Sequence, residues 1–474
     1  TQNIYMSLFL RLSKPWMIWM KLIFGKVVSV VIVFIIIFIA FAPMPVEGRL
    51  KSNWSRNYGG EFHDVAHEVL LSEDGGYLLA GYSSSFGAGN RDQVYLVKTN
   101  TNGYTEWRKD IGGEYSDKGF AATNTDDGGY AIAGLTTSYG GRDNYDFYFV
   151  KTDSEGNVEW ESNFGGDHNE IAYDVIQTSD GGYLLGGTTV TYGNKGTDWW
   201  VVKTNETGEK EWSRYYGGEQ DEELKSVMET EDGNFVLGGS TASFADPGFG
   251  LWALEIDEGN IDEEKEEDVE TDFEGVELEK DAIRWETNVG GFLDDKIHDM
   301  IITQDGGFAA TGKTESYTDT GSDFWLVKLD SEGQEKWNKS YGGDYFEVAN
   351  AITETDEGNL MMAGYETSWG GVQEDFFVLK TDENGEELSR LDVGGERTDI
   401  ANSIITVDDD TFAVAGQTRS FGGGGFSFYL VEIGRPSEIS VSLVLGAVGI
   451  GVVGIYAGVK LFKKYRYLFK FKRF

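Results

Sequence analysis

The sequence predicts an all-β fold, a seven-bladed β-propeller of four-stranded blades closed by its own N-terminal strand. Two observations carry this. A Gly-Gly pair recurs seven times, beginning at Gly59, Gly112, Gly165, Gly217, Gly290, Gly342 and Gly394, at spacings of 53, 53, 52, 73, 52 and 52 residues. The composition combines 64 glycines and 14% aromatic residues with only 5 prolines, which suits many short strands and tight turns. Self-similarity at a fixed period is the mark of a repeat architecture.

Inside each unit the register is constant. Gly75, Gly128, Gly181, Gly233, Gly306 and Gly358 lie 16 residues after the first glycine, with Asp410 at that place in the last unit. Gly81, Gly134, Gly187, Gly239, Gly312, Gly364 and Gly416 lie 22 residues after it. Trp54, Trp107, Trp160, Trp212, Trp285 and Trp337 precede the first six pairs by 5 residues. Each unit reads as four strands. Asp74-Gly75-Gly76-Tyr77 and its copies form a hairpin turn, because glycine takes positive φ without steric cost. Tyr77 to Gly81 is the next strand. Phe147 to Val150 is a short apolar run, as expected for a strand covered on both faces. Asp153 to Gly156 turns into the strand that carries Trp160. Four strands in about 50 residues fit a propeller blade. The first unit opens with the Trp54 strand and the last stops after its third strand at Glu432, so the first strand is expected to complete the seventh blade beside Phe428 to Glu432. A ring closed this way exposes no edge strand. The wider fourth spacing falls in 258–281, an acidic insertion that reads as a solvated loop.

The two ends read as membrane segments. Val27 to Ala42 is apolar apart from Ser29, follows Lys21 and Lys26, and ends in Ala40-Phe41-Ala42. Counted from Met20 this is either a secretory signal or an uncleaved anchor, with residues 1–19 as upstream sequence and 1–48 as the leader. Ile439 to Val459 carries no charge and is followed by Lys460, Lys463, Lys464, Arg466, Lys470, Lys472 and Arg473. That is a transmembrane helix (437–459) with a basic cytoplasmic tail (460–474). Gly454 and Gly458 have the spacing at which two such helices pack, which is also ordinary glycine content for a membrane helix. Residues 49–436 are then expected outside the cell.

Charge and composition narrow the function. The formal net charge is −42, which argues against nucleic acid as a partner. Cysteine is absent, which excludes disulfides, thiolate metal sites and a cysteine nucleophile. No nucleophile elbow, HExxH helix, phosphate loop or zinc spacing is present. Asp126-Asp127-Gly128 lacks the alternating ligands of a calcium loop. Asn53, Asn205 and Asn338 begin Asn-x-Ser/Thr sequons and are glycosylation candidates for an external domain.

The run Asp153-Ser154-Glu155-Gly156-Asn157-Val158-Glu159-Trp160 resembles the tryptophan-docking motif of pyrroloquinoline-quinone-type propellers, with the Asp-to-Gly spacing one residue shorter. The repeated Trp…Gly-Gly…Asp-Gly-Gly-Tyr…Ala-Gly units are similar to those of prokaryotic secreted or surface propeller proteins. The resemblance spans about residues 52–432 and implies a tryptophan stacked against the next blade. For the quinone enzymes it implies typically eight blades, calcium and often a vicinal disulfide, from which seven blades without cysteine depart.

Three columns of the repeat are candidates for function. Positions are counted from the first glycine of each pair. Position +5 is acidic in every unit: Asp64, Asp117, Glu170, Glu222, Asp295, Glu347 and Asp399. Position +2 holds Glu61, Glu114, Asp167, Glu219, Asp344 and Glu396, with Phe292 in the fifth unit. These acids either brace turns by accepting backbone N–H bonds or form a face for a cation, calcium foremost, or a basic ligand. Position +8 varies on a constant scaffold: His67, Phe120, Tyr173, Lys225, His298, Asn350 and Asn402. Such a ring suits a ligand at the channel mouth; two histidines on non-adjacent blades are a poor metal site. The strand-end Lys98, Lys151, Lys203, Lys328 and Lys380, replaced by Glu255 and Glu432, read as cross-strand or cross-blade charge pairs. His63 and His168 read as surface residues.

The function expected from the sequence is noncatalytic binding of a protein, glycan or envelope component at the cell surface, without an obligatory cofactor. The rivals are an extracellular enzyme of the quinone-dependent dehydrogenase, lyase or glycosidase type, and a structural subunit of a surface layer or adhesion array.

Overall fold

Strand pairing in the computed structural model realises the predicted ring. The structure describes residues 50–434 apart from 88, 141–143, 193–195, 246–247, 258–282, 319, 344–345, 368–372 and 409. The expected leader, transmembrane helix, basic tail and acidic insertion therefore lie outside the described residues. Among the described residues no helix is long and apolar enough to cross a membrane.

The described strands are numbered β1 to β28 in chain order. Blade one is β2 (Asp64–Leu71), β3 (Tyr77–Ser83), β4 (Gln93–Thr99) and β5 (Thr105–Ile111), antiparallel neighbours in that order. Five further four-stranded blades repeat the arrangement. Blade seven is β26 (Asp399–Asp408), β27 (Thr411–Thr418), β28 (Ser427–Gly434) and β1 (Lys51–Tyr58). Here Trp54 faces Glu432 and Tyr58 faces Phe428, so the N-terminal strand closes the ring. The first strands of adjacent blades touch all the way round and wall the central channel. The third strands are buried along their length, as in Asp146–Thr152, whereas outer strands alternate.

Seven apolar clusters hold the ring, one at each blade-to-blade junction. At the junction of blades three and four, Trp199 and Trp252 lie 4.2 Å apart and fully buried. Burying apolar surface stabilises by about 25 cal/mol per Å², so the stability of the ring resides between blades as much as within them.

The repeat residues are explained by close approach. In the Asp-Gly-Gly-Tyr turn, Gly75 has φ 78°. A Cβ on Gly76 would sit 2.0 Å from the Thr99 carbonyl oxygen. Asp74 accepts the Gly76 N–H and the Lys98 ammonium, which also bonds Glu106. Lys151 repeats this with Asp127 and Glu159, and Lys203 with Asp180 and Glu211. Burial works against the Asp127 carboxylate, but Lys151, Thr125 and the Gly129 N–H hold its pKa down at about 2. Lys98, Lys151, Lys203 and Lys328 thus pair within their own blades, and Asp127 faces an ammonium.

The tryptophans dock on the following blade. Trp54, Trp107, Trp160, Trp285 and Trp337 lie against Gly103, Gly156, Gly208, Gly333 and Gly385, each at positive φ. At Gly156 (φ 72°) a Cβ would come within 2.7 Å of the Trp107 ring. Gly156→Ala is expected to destabilise the ring by about 1–3 kcal/mol, from overpacking and left-handed backbone together. Urea unfolding checks this, and a change under about 0.5 kcal/mol would show that the indole has room to move.

Candidate functional site

The links after the Gly-Gly pairs separate the two acidic columns. At +5, Asp64, Asp117, Glu170, Glu222, Asp295, Glu347 and Asp399 are all fully buried. Each accepts the N–H of the second glycine of its own pair, at 2.7–3.2 Å. In six blades a Ser or Thr hydroxyl on the second strand donates to the other oxygen, as Thr136 does to Asp117 at 2.5 Å. Blade six has Glu366 at that place. Burial first, then Asp392 and Glu347, raises its pKa to about 8. The +5 column therefore lies inside the turns and away from solvent. At +2, Glu61, Glu114, Asp167, Glu219 and Glu396 are exposed, and Asp344 lies outside the described residues.

The varied +8 column has a structural cause. In all seven first strands the pairing register shifts between +7 and +9, so that His67, Phe120, Tyr173, Lys225, His298, Asn350 and Asn402 are the extra residues of seven β-bulges. A bulge bends its strand and re-aims a side chain. The structure joins these residues side to side around the channel wall. His67 and Phe120 ring centroids are 5.0 Å apart, Phe120 and Tyr173 5.9 Å. The Lys225 ammonium is 3.7 Å from the Tyr173 centroid. Burial, with Lys118 or Lys225 nearby, lowers the His67 and His298 pKa values to about 4, so both imidazoles are neutral at pH 7. His63 and His168 are exposed.

The bulge also turns +9 toward the channel, a column that strict strand alternation would send the other way. It reads Glu68, Ala121, Asp174, Ser226, Asp299, Ala351 and Ser403. Glu68 accepts from the Ser403 hydroxyl (2.6 Å). Asp174 accepts from the Val227 and Val175 N–H groups (2.8 and 2.7 Å). Asp299 accepts from the Ile352 and Met300 N–H groups (2.9 and 2.8 Å). The bonds from Ser403, Val227 and Ile352 cross from one blade to another, and those from Val175 and Met300 stay within the strand. Burial raises the pKa of Glu68 to about 8, of Asp299 to about 7 and of Asp174 to about 6, and their mutual repulsion adds to the first two.

A fifth column marks the face that bears the Gly-Gly links. At +27, on the turn between the second and third strands, stand Phe86, Tyr139, Tyr192, Phe244, Tyr317 and Phe421. They are 36–46% exposed; the seventh, Trp369, lies outside the described residues. Each rests on an aromatic residue of its own third strand, at 4.9–6.2 Å between centroids. Phe62, Phe292 and Phe346 on the links add 41, 80 and 57% exposed rings to the same face. The column is legible in the repeat register, but the sequence does not say which rings reach solvent.

Among the described residues no three His, Asp or Glu side chains converge as a metal ion would require. On the opposite face a cavity of about 610 Å³ lies between blades one and two, beside Asp74, Lys98, Trp107 and Tyr130. Of the sequons, Asn53 is exposed and donates to Glu432. Asn205 and Asn338 are half-buried, with their amides bonded to Glu209 and Glu335.

No protein-family model and no curated protein matches the chain. Among solved structures it is similar to the polysaccharide lyase Uly1, at 13% identity and TM-score 0.46, covering 80% of this chain and 93% of that one. It is similar to a protein of unknown function from Dyadobacter fermentans, at 10% identity and TM-score 0.44, covering 81% and 99%. An α-L-arabinofuranosidase from Fusarium graminearum gives 12% identity and TM-score 0.41, covering 66% and 91%. What the chain's own strand pairing establishes beside them is an all-β ring of seven four-stranded blades.

Proposed function

We propose that the chain is a noncatalytic binding module of the cell surface. The segment 439–459 holds it in the membrane, and the Gly-Gly face meets a protein, glycan or envelope component outside. This agrees with the similarity of its repeats to secreted propeller proteins. The observation that carries the reading is the crown of half-exposed aromatic rings at +27 in six of the seven blades. A large apolar patch on a folded protein marks an interaction surface, and aromatic residues are enriched in such surfaces. The exposed +2 acids stand beside the crown and favour partners that bring positive charge or hydroxyl donors.

The test is a binding panel of neutral and acidic polysaccharides and basic proteins, read by biolayer interferometry on residues 50–434. The triple variant Tyr139→Ser, Tyr192→Ser, Phe244→Ser is expected to bind at least about tenfold more weakly, with its Tm within a few degrees of the parent. A ligand held equally by the variant, or none in the panel, removes the face from consideration. Self-association abolished by the same variant would favour the structural subunit. For topology, a membrane-impermeant amine label should reach the propeller lysines and spare Lys460 to Arg473 in intact cells.

One observation favours an enzyme as second reading. Glu68, Asp174 and Asp299 place three acids of raised pKa around the channel, and acids of perturbed pKa are candidates for lyase or glycosidase chemistry. Turnover of a polysaccharide that disappears in Glu68→Gln would establish it.

A further inference from the structure

The channel wall is built in two unlike halves. From blade five to blade seven each bulge residue is tied to the next blade. His298 Nδ1 lies 3.0 Å from the Ala349 carbonyl oxygen, and the Asn350 and Asn402 amides donate to the Ala401 and Ala66 carbonyls at 2.8 Å. The described residues of blades one to four show no such stitch. Their bulge residues make a row of rings ending in an ammonium, His67, Phe120, Tyr173 and Lys225. The buried Nε2 of His67 has no hydrogen-bond partner among the described residues.

Lys225 has its carboxylate partner only at long range. Glu223 makes its short ion pair, 2.7 Å, with Lys296, and stands 3.6 Å from Lys225. Glu223 thus serves two ammonium groups, Lys296 of blade five at short range and Lys225 at long range. Burial first, with Lys296 adding to it against Glu223, lowers the Lys225 pKa. The Lys225 side chain is 18% exposed. A carboxylate brought to it would replace a weak, long ion pair with a charge-assisted hydrogen bond. The adjacent Tyr173 and Phe120 rings would cover an apolar or planar body. Glu223 beside Lys225 would repel the second charge of a dianion more than a monoanion.

We propose that the half of the channel wall formed by blades one to four is a binding site for a small carboxylate with a flat or apolar body, its carboxylate on Lys225 and its body against Tyr173 and Phe120. This site is separate from the aromatic crown. Loss of binding at one leaves the other intact, and the two proposals fail separately.

The experiment is calorimetric titration of residues 50–434, which hold all seven blades and the closing strand. The probes are benzoate and glucuronate, their uncharged counterparts benzyl alcohol and glucose, and inorganic phosphate. At least one acid is expected to bind at least about tenfold more tightly than its uncharged counterpart and than phosphate. Lys225→Met and Lys225→Gln are each expected to weaken that acid at least about tenfold with Tm retained. In the unaltered protein the bound acid is expected to shield Lys225, among the propeller lysines, from reductive methylation followed by mass spectrometry. That readout stands even if neither variant folds. No binding of either acid up to about 10 mM, preference for phosphate, binding unchanged in the folded variants, or unchanged labelling of Lys225 each overturns the proposal.

Discussion

Replacing Asp117 by alanine is expected to destabilise the propeller by about 3 kcal/mol, while replacing Glu114, three residues earlier, is expected to change stability by less than about 0.5 kcal/mol. Both acids belong to one link and carry the same formal charge. Glu114 points into solvent. Asp117 is fully buried and receives the Gly113 N–H at 2.7 Å, the Thr136 hydroxyl at 2.5 Å and the Ser138 hydroxyl at 2.7 Å. Alanine would leave those three donors without an acceptor, and a buried unsatisfied polar group costs about 1–3 kcal/mol. Water entering the space left by the carboxylate offsets part of the sum. Asp117→Asn keeps one accepting oxygen and turns the other position into a donor, so about half of the loss is expected. Urea unfolding of residues 50–434 measures all three. Equal, small effects for Asp117→Ala and Glu114→Ala would show that the link holds its shape without the acid. Calcium is expected to leave the unfolding midpoint unchanged, because the oxygens of Asp117 are already taken by internal donors. A rise in the midpoint that disappears in Asp117→Ala would restore the cation face.

The ring was legible because its determinants are steric and repeat in every unit. Trp107 needs Gly156 beneath it, Gly76 needs room for the Thr99 carbonyl, and Lys98 needs Asp74 and Glu106. Each requirement leaves a recurring letter at a fixed offset. Closure was legible for the same reason, since a Trp54 strand without a blade and a seventh unit without a fourth strand have one shared solution. The site was legible only in part. Position +8 stood out because its side chains vary, but a bulge leaves no letter of its own. Alternation alone hides that +8 and +9 share the channel, and so the three acids Glu68, Asp174 and Asp299 were passed over although they stand one column away. The +5 acids show the opposite limit. Seven identical charges look like a binding surface in a sequence, and only burial and partners reveal them as braces. Burial depends on the path of chain far away, which the link itself does not encode.

The thermal stability of residues 50–434 is expected to fall as pH rises from 5 to 9. Glu68, Asp299 and Asp174 have folded pKa values of about 8, 7 and 6, all above their ordinary values, because burial disfavours the charged carboxylate. Glu366 at about 8 and Asp375 at about 6, the latter raised by burial and by Asp399 and Asp392, act in the same sense. A group whose pKa is raised on folding holds its proton more tightly in the native state. Its stabilisation is complete below the unfolded value, near 4, and is lost as pH rises through the folded value. The window is therefore about pH 4 to 8. Two effects of opposite sign bound it from below. His67 and His298 are kept neutral with pKa values of about 4, so their contribution is lost as pH falls from 6.5 toward 4. The Lys151-paired Asp127, at about 2, loses its contribution below pH 4. The five raised carboxyls outnumber the two histidines, so the optimum falls near pH 4. General charge repulsion does not mimic the fall, because the exposed carboxylates are already ionised at pH 6 and add no charge between 6 and 9. Differential scanning at constant ionic strength measures the profile. The triple variant Glu68→Gln, Asp174→Asn, Asp299→Asn should flatten it above pH 6, since an amide cannot ionise. A parent Tm that is level or rising between pH 6 and 9 would mean that the three acids are already charged in the channel and neutralised there by a cation or by water.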